Sequence, residues 1–248
     1  MTLLLLFIVA VWAGAQNALA GGGSFITLPA LILSGLDARA ANIASTIALF
    51  PGQVTTGLVG RKLAGGAAGL SFTALVLISI GGGAIGAGLL LLTPSSFFAR
   101  LVPWLVLFAT GLFAYGSVSR RRRRQADRRI DPRVAAILQF LIAIYGGYFG
   151  GGIGFLMLAA LTAAGVALRT AGATKNLLAA VMNAGAVAIF LFTPAIPWAK
   201  VGVVCAGAIV GGYLGAQLLK RVDERLIEGA VVIIGLCLTV GLFLRGSP

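Results

Sequence analysis

The sequence predicts an all-α, polytopic membrane protein built from two repeats of inverted topology. Of its 248 residues, 59% are hydrophobic and only 10% are charged, with a mean hydropathy of +1.05. Soluble domains carry about 25% charged residues. The apolar segments run without period-2 alternation, which favours helices over a barrel. The two halves also resemble each other when the chain is shifted by 130 positions.

The internal repeat is visible in two blocks. Residues 21–41 align with 151–171 without a gap, and nine of these 21 positions are identical. Residues 82–87 align with 211–216 at an offset of 129. Because two blocks at nearly one offset rarely arise by chance, we predict a tandem duplication. Its parts are a first repeat at 1–119, a basic cytoplasmic linker at 120–133 and a second repeat at 134–248.

Each half contains five apolar segments. They lie at about 2–20, 24–34, 40–60, 66–92 and 98–119 in the first half, and at about 134–149, 154–164, 168–192, 200–219 and 226–244 in the second. The first segment is interpreted as a membrane helix and not as a cleaved signal peptide, since the second half has a counterpart of it. A full span needs about 20 residues, so the second segment of each half is too short to cross alone. It either continues the first segment as one broken helix or turns back as a re-entrant half.

The basic residues favour the re-entrant alternative. If the first two segments of each half fold back on each other, every half has an odd number of crossings and the two halves are inverted. Most Lys and Arg residues then lie on the cytoplasmic side, as the positive-inside rule expects. Continuous pairs would place Lys220, Arg221 and Arg225 outside. Eight of the 19 basic residues fall within 120–133, beside the membrane. The net charge of +13 therefore indicates the lipid bilayer, and not nucleic acid, as the partner.

The usual materials of catalysis are missing from the sequence. It contains no histidine, and its six acidic residues lie in predicted loops or at helix ends. The two cysteines, Cys205 and Cys237, are far apart and have no metal-binding or redox spacing. We therefore predict no catalytic residue, no metal site, no cofactor and no enzymatic activity.

Two glycine triplets interrupt apolar segments at equivalent places. They are Gly21, Gly22 and Gly23 in the first half, and Gly150, Gly151 and Gly152 in the second. Irregular backbone survives in a membrane only where protein buries it or where it lines a cavity. A helix that begins after such a break directs free N–H groups and its positive dipole end at the midplane. We predict that both triplets bind an anionic substrate, with tight helix packing as the alternative.

The third segment of each half carries polar residues. Thr46 is equivalent to Asn176 and Gln53 to Asn183, and a spacing of seven places each pair on one helical face. The predicted substrate-binding side chains are Ser45, Thr46, Gln53, Thr174, Lys175, Asn176 and Asn183. Polar groups in spans normally face a pathway or bond between helices. Lys175 either compensates an anion's charge or extends to the interface. Residues near the helix starts, Arg39, Asn42 and Arg169, are predicted gate residues, with topology anchoring as the alternative.

The whole pattern resembles the TauE/SafE family of sulfite and organosulfonate exporters, also called TSUP permeases. The resemblance rests on the glycine openings at 20–25 and 150–155, the Ala-rich helix starts that follow, and the Gly-Gly-x-x-Gly-Ala block of each half. It covers almost the whole chain. One departure is Ala159, which stands opposite Pro29, so the proline is not required in both halves.

The resemblance implies a multi-pass carrier of small sulfur-containing anions in the bacterial inner membrane. From the residues and the resemblance together, we predict export of sulfite or an organosulfonate by alternating access. A channel, or a carrier of another small anionic metabolite, stays the alternative. The sequence leaves open whether the protein forms a homo-oligomer.

Overall fold

A computed structural model describes residues 3–19, 22–122, 130–194, 196–218 and 224–244. Within these ranges it contains ten α-helices, a short 3-10 helix at Arg61–Leu63, and no strand longer than an isolated bridge. The helices are α1 (Leu3–Leu19), α2 (Ser24–Leu33), α3 (Ala38–Gly60), α4 (Phe72–Leu92), α5 (Ser95–Arg122), α6 (Pro132–Tyr148), α7 (Ile153–Ala163), α8 (Leu168–Phe190), α9 (Trp198–Leu218) and α10 (Glu224–Leu244). Each predicted segment corresponds to one helix, which confirms the all-α prediction.

The start of α4 is the clearest difference from the predicted segments. The sequence predicts a segment from 66, but the helix begins only at Phe72. Ala67 and Leu70 instead pair across a tight turn, in which Ala68 and Gly69 have φ angles of 51° and 79°. The hydroxyl of Ser71 then accepts a hydrogen bond from the Ala74 amide and caps the helix.

Four helices in the described part of the chain are long and apolar enough to cross a membrane. They cover Ala38–Leu63, Phe72–Leu92, Ser95–Leu112 and Arg169–Phe190. Large apolar side chains cover the outer surface, and Trp12, Trp104 and Trp198 are exposed there. A soluble protein rarely exposes apolar area on this scale, so the surface suits contact with lipid.

The first helix of each half packs along the fourth helix of the other half. The close pairs are Phe7 with Gly207, Val11 with Gly211, Ala143 with Gly82, and Ile144 with Gly86. Residue numbers rise together in both crossings, so α1 is parallel to α9 and α6 is parallel to α4. Glycine allows this approach because a Cβ at Gly211 would lie 1.8 Å from the Val11 carbonyl oxygen. Packing is thus the role of Gly82 and Gly211.

Equivalent helices of the two halves run antiparallel where they touch. The pairs between α3 and α8 are Gln53 with Asn183, Gly57 with Ala180, and Gly60 with Ala173. The pairs between α5 and α10 are Trp104 with Phe243 and Thr110 with Gly235. In both cases residue numbers rise along one helix as they fall along the other.

Helix α2 turns back alongside α1. The Lys200 amine donates a 2.8 Å hydrogen bond to the carbonyl oxygen of Ser34, at the end of α2. Lys200 lies in the first turn of α9, which is level with the beginning of α1 because those helices are parallel. Gly23, just before α2, lies against Ala13 in the later half of α1. Helix α2 therefore runs back along α1 and does not continue it, as the re-entrant alternative predicts.

Candidate functional site

A cavity lies where both glycine breaks meet helices α3 and α8. It has a volume of about 40 Å³, enough for about three water molecules or one small ion. Its lining residues are Asn17, Gly22, Ser24, Gln53, Thr56, Gly150, Ile153, Gly154, Lys175, Asn176 and Ala179. Both halves of the chain contribute, and none of the described lining residues is acidic.

Lys175 provides the positive charge of this cavity. Its Nζ atom lies 3.5 Å from the position that a Cβ atom on Gly154 would occupy. Gly154 is the second residue of α7, so the amine sits beside the N-terminal end of that helix. The charge of Lys175 and the positive end of the α7 dipole thus lie at the same cavity.

Amides and a hydroxyl of α3 and α8 form a second part of the lining. Gln53, Thr56 and Asn176 all line the cavity. The predicted residue Asn183 does not line it, and its side chain is 2% exposed. Its Nδ2 atom donates a hydrogen bond to Oε1 of Gln53 instead.

The first glycine break contributes through Gly22 and its neighbours. Gly22 has a φ angle of +82°, in the left-handed region that favours glycine. The Gly23 amide donates a 3.4 Å hydrogen bond to Oδ1 of Asn17, and a Cβ at Gly23 would lie 2.8 Å from the Ala13 carbonyl oxygen. Gly21 lies outside the described residues. Of this triplet, Gly22 lines the cavity and Gly23 packs beside it.

The glycines of the second break likewise divide between lining the cavity and packing beside it. Gly150 lines the cavity with a φ angle of +76°. Gly151 packs against the rings of Phe149 and Phe25, and a Cβ there would lie 2.6 Å from the nearer ring. Gly152, with a φ angle of +75°, packs against Phe25 and the Ala109 methyl group. Aromatic packing therefore requires two of these glycines.

Three other predicted hydroxyl residues are buried and hydrogen-bonded to other protein groups. Ser45 Oγ lies 2.6 Å from Thr27 Oγ1, a hydrogen bond that joins α3 to α2. The Thr46 hydroxyl donates to the Asn42 carbonyl oxygen at 3.0 Å. The Thr174 hydroxyl accepts from the Gly65 amide at 3.0 Å. The structure places none of the three in the cavity lining.

Two of the predicted gate residues belong to one hydrogen-bond network. The Arg39 guanidinium donates to the carbonyl oxygens of Leu91 and Thr93, at 3.2 and 2.9 Å. The Tyr148 hydroxyl and Thr93 Oγ1 lie 3.3 Å apart, and Asn42 Nδ2 donates to the Tyr148 carbonyl oxygen at 3.1 Å. The network connects the start of α3, the end of α4 and the approach to the second glycine break.

Arg169 lies at the opposite end of the α3–α8 pair. Its side chain is exposed, and the antiparallel crossing places the start of α8 beside the end of α3, where Gly60 contacts Ala173. Arg39 and Arg169 are equivalent in the sequence repeat and lie at opposite ends of this pair of helices.

Comparison with known proteins identifies the family. A family model described as sulfite exporter TauE/SafE matches residues 6–242. The chain belongs to this family. Members of the TauE/SafE family are membrane transporters, which confirms the predicted resemblance and the absence of an enzymatic role. Together with its apolar helices, this makes the protein a multi-pass membrane transporter.

Three bacterial relatives illustrate the similarity. "Probable membrane transporter protein ORF9" of Sinorhizobium sp. is 30% identical over 96% of this chain and 90% of its own length. A "Probable membrane transporter protein" of Haemophilus influenzae is 30% identical, with 96% and 92% coverage. "Probable membrane transporter protein YfcA" of Escherichia coli K12 is 28% identical, with 96% and 88% coverage. These names establish transport and leave the substrate open.

Sequence reasoning missed several lining residues of this TauE/SafE protein. They are Asn17, Ser24, Thr56, Ile153, Gly154 and Ala179. Three of them carry a signal that could have been used. Asn17 follows Gln16 as a pair of amides in an apolar segment, and Thr56 lies three residues after Gln53 on a similar helical face. Gly154 follows directly after the second glycine triplet.

Proposed function

We propose that this protein carries a small sulfur-containing oxyanion, such as sulfite or an organosulfonate, out of the cell across the bacterial inner membrane. The observation that carries the proposal is the Lys175 amine in a small cavity between two glycine breaks. The family description, sulfite exporter, supports the substrate class. A lining whose described residues include one lysine and no acidic residue suits an anion better than a cation or a neutral solute.

The electrostatics of the cavity favour a negative ligand. An ammonium group attracts an anion strongly where surrounding protein excludes water. Ser24 and Gly154 stand in the first turns of α2 and α7, whose free N–H groups add positive potential. Gln53, Thr56 and Asn176 supply groups able to donate hydrogen bonds to an oxyanion. Hydrogen bonds with a charged partner are the stronger ones.

The arrangement of helices supports transport by alternating access between inverted repeats. Antiparallel contacts within the α3–α8 and α5–α10 pairs are what a two-fold axis in the membrane plane would produce. With the predicted topology, the cavity belongs to the cytoplasmic half, beside the end of α3. The network of Arg39, Thr93, Tyr148 and Asn42 then closes the external side. We propose that this network opens when the carrier faces outward.

A thermal-shift screen of the purified protein tests the substrate class. Sulfite, sulfate, thiosulfate, taurine and sulfoacetate are compared with chloride at equal ionic strength. A ligand at 100 times its Kd stabilises the folded state by about 2.7 kcal/mol, so a binding anion raises Tm. We expect at least one sulfur anion to do so. Stabilisation by none of them, or equal stabilisation by chloride, contradicts the proposal.

A further inference from the structure

The hydrogen bond between Gln53 and Asn183 connects a cavity residue to one that the cavity does not reach. Gln53 is half-buried and lines the cavity, whereas Asn183 is 2% exposed. Nδ2 of Asn183 donates to Oε1 of Gln53. Oδ1 of Asn183 is buried and has no hydrogen-bond partner among the described residues. Asn183 therefore acts on the cavity only through Gln53.

The direction of this hydrogen bond decides which end of the Gln53 amide faces the cavity. A side-chain amide has one acceptor oxygen and one NH2 donor group. Because Asn183 occupies the oxygen, the NH2 group of Gln53 remains for the cavity. An NH2 group suits an oxyanion ligand, whereas an amide oxygen would repel one.

The Gln53 amide needs a fixed orientation because either of its two ends could face the cavity. Rotation by 180° about its last side-chain torsion exchanges the oxygen and the NH2 group. The buried Nδ2 of Asn183 opposes this rotation, because it would then face the NH2 group of Gln53 and lose its acceptor.

We infer that Asn183 is a positioning residue that strengthens anion binding by holding the Gln53 amide with its NH2 group towards the cavity. The inference rests on the proposed function, since it presumes an anionic ligand. It also gives different roles to two residues that the sequence predicts to bind the substrate. Gln53 contacts the ligand, and Asn183 orients Gln53.

A double-mutant cycle on the full-length purified protein tests this inference. The probe is methanesulfonate, whose charge is constant over the accessible pH range, and the measurement is its Kd by calorimetry. We expect Gln53→Leu and Asn183→Leu each to weaken binding roughly tenfold, since each costs one hydrogen bond to a charged ligand. In the Gln53→Leu background, Asn183→Leu should cost less than about twofold, because its effect passes through Gln53.

Asn183→Asp adds a pH readout, which is compared with the same change in the Gln53→Leu background because direct repulsion between the carboxylate and the anion persists there. The part of the pH dependence that needs Gln53 reports its orientation. An ionised carboxylate accepts from the Gln53 NH2 group and withdraws it from the cavity, so binding weakens. A protonated carboxyl donates to Oε1 of Gln53 as the wild-type amide does, so binding recovers as pH falls. Wild-type affinity should change little with pH.

Gln139→Leu is the matched control. Gln139 is another buried amide, and its Nε2 donates to Ser79 Oγ at 2.8 Å between α4 and α6. Its loss should lower Tm as Asn183→Leu does and leave the methanesulfonate Kd unchanged. If Asn183→Leu weakens methanesulfonate binding as much in the Gln53→Leu background as in the wild type, the positioning role is overturned and the proposed function stands. If the wild-type protein binds neither methanesulfonate nor sulfite, the proposed function is overturned, and the inference with it.

Discussion

Neighbouring residues on α8 illustrate how far single side chains could be predicted. The sequence marked Thr174, Lys175 and Asn176 as candidates because polar groups are costly in a span. Lys175 and Asn176 line the cavity, whereas Thr174 is bonded to Gly65. Successive helical residues point about 100° apart. Which of them meets the cavity depends on the packing partners of α8, and those are not visible in the sequence.

The lysine gives the most direct prediction at the residue scale. Replacing Lys175 with Met keeps the length of the side chain and removes its charge. We expect the Kd for a sulfur anion to rise at least about tenfold, because a charge-assisted contact is lost. Lys62→Met is the control, since Lys62 is exposed in the short 3-10 helix. Equal anion-induced Tm shifts in both variants would contradict a charge role for Lys175.

At the scale of elements, hydropathy predicted the helices well and their ends less well. All ten segments are helices, but the stretch from 66 to 71 is a turn although it contains Ala67 and Leu70. These residues are apolar because Ala67 joins a buried cluster with Leu75 and Leu161. Hydropathy alone cannot separate burial within the protein from contact with lipid.

The crossing of α4 and α6 depends on glycine. A Cβ at Gly86 would lie 2.1 Å from the Ile144 carbonyl oxygen, whereas a Cβ at Gly88 meets nothing within 4 Å. We expect Gly86→Ala to destabilise the protein by about 1–3 kcal/mol through overpacking. Gly88→Ala should stay within about 0.5 kcal/mol of wild type. Thermal unfolding in detergent measures both, and equal Tm values would contradict the close crossing.

Asp37 links the start of α3 to α5. It accepts hydrogen bonds from the Arg39 and Ala40 amides, both at 3.1 Å, and from the Ser95 hydroxyl. Burial raises its pKa, but these hydrogen bonds and the charge of Arg39 lower it by more, so the net pKa lies below the ordinary 3.8. The carboxylate therefore stabilises the folded protein at neutral pH, and this contribution is lost as pH falls through the lowered pKa.

Asp37→Ala removes this cap and is expected to cost about 1 kcal/mol at neutral pH. The difference in Tm between variant and wild type should shrink as the pH is lowered below about 4. Thermal unfolding over a pH series measures it. A difference that is constant with pH, or grows on acidification, would show that the carboxylate charge is not what stabilises this junction.

For the whole molecule, the sequence repeat predicts two inverted halves, and this inversion stays a prediction beside the antiparallel α3–α8 and α5–α10 contacts. The offset of 130 identified equivalent helices, and the positive-inside rule favoured inversion. Contacts between halves could not be predicted, because they depend on which small residues face each other. The α1–α9 and α4–α6 crossings are such contacts.

Cysteine labelling tests the inverted topology. In a Cys205→Ala, Cys237→Ala background, single cysteines replace Lys62 and Pro194, both of which are exposed. An impermeant thiol reagent applied to intact cells should label Pro194→Cys and spare Lys62→Cys. If the halves were parallel, both positions would be cytoplasmic and neither would react until the cells were opened.

We propose that the protein exchanges a small sulfur oxyanion through the Lys175 cavity. Counterflow in proteoliposomes tests it most directly: vesicles loaded with unlabelled sulfite are diluted into a trace of radiolabelled sulfite. A carrier predicts transient, saturable accumulation of label that Lys175→Met abolishes and Lys62→Met retains. The proposed mechanism is contradicted if the wild-type protein accumulates no label or if counterflow survives in Lys175→Met. A flux that does not saturate, as in a channel, would contradict it as well.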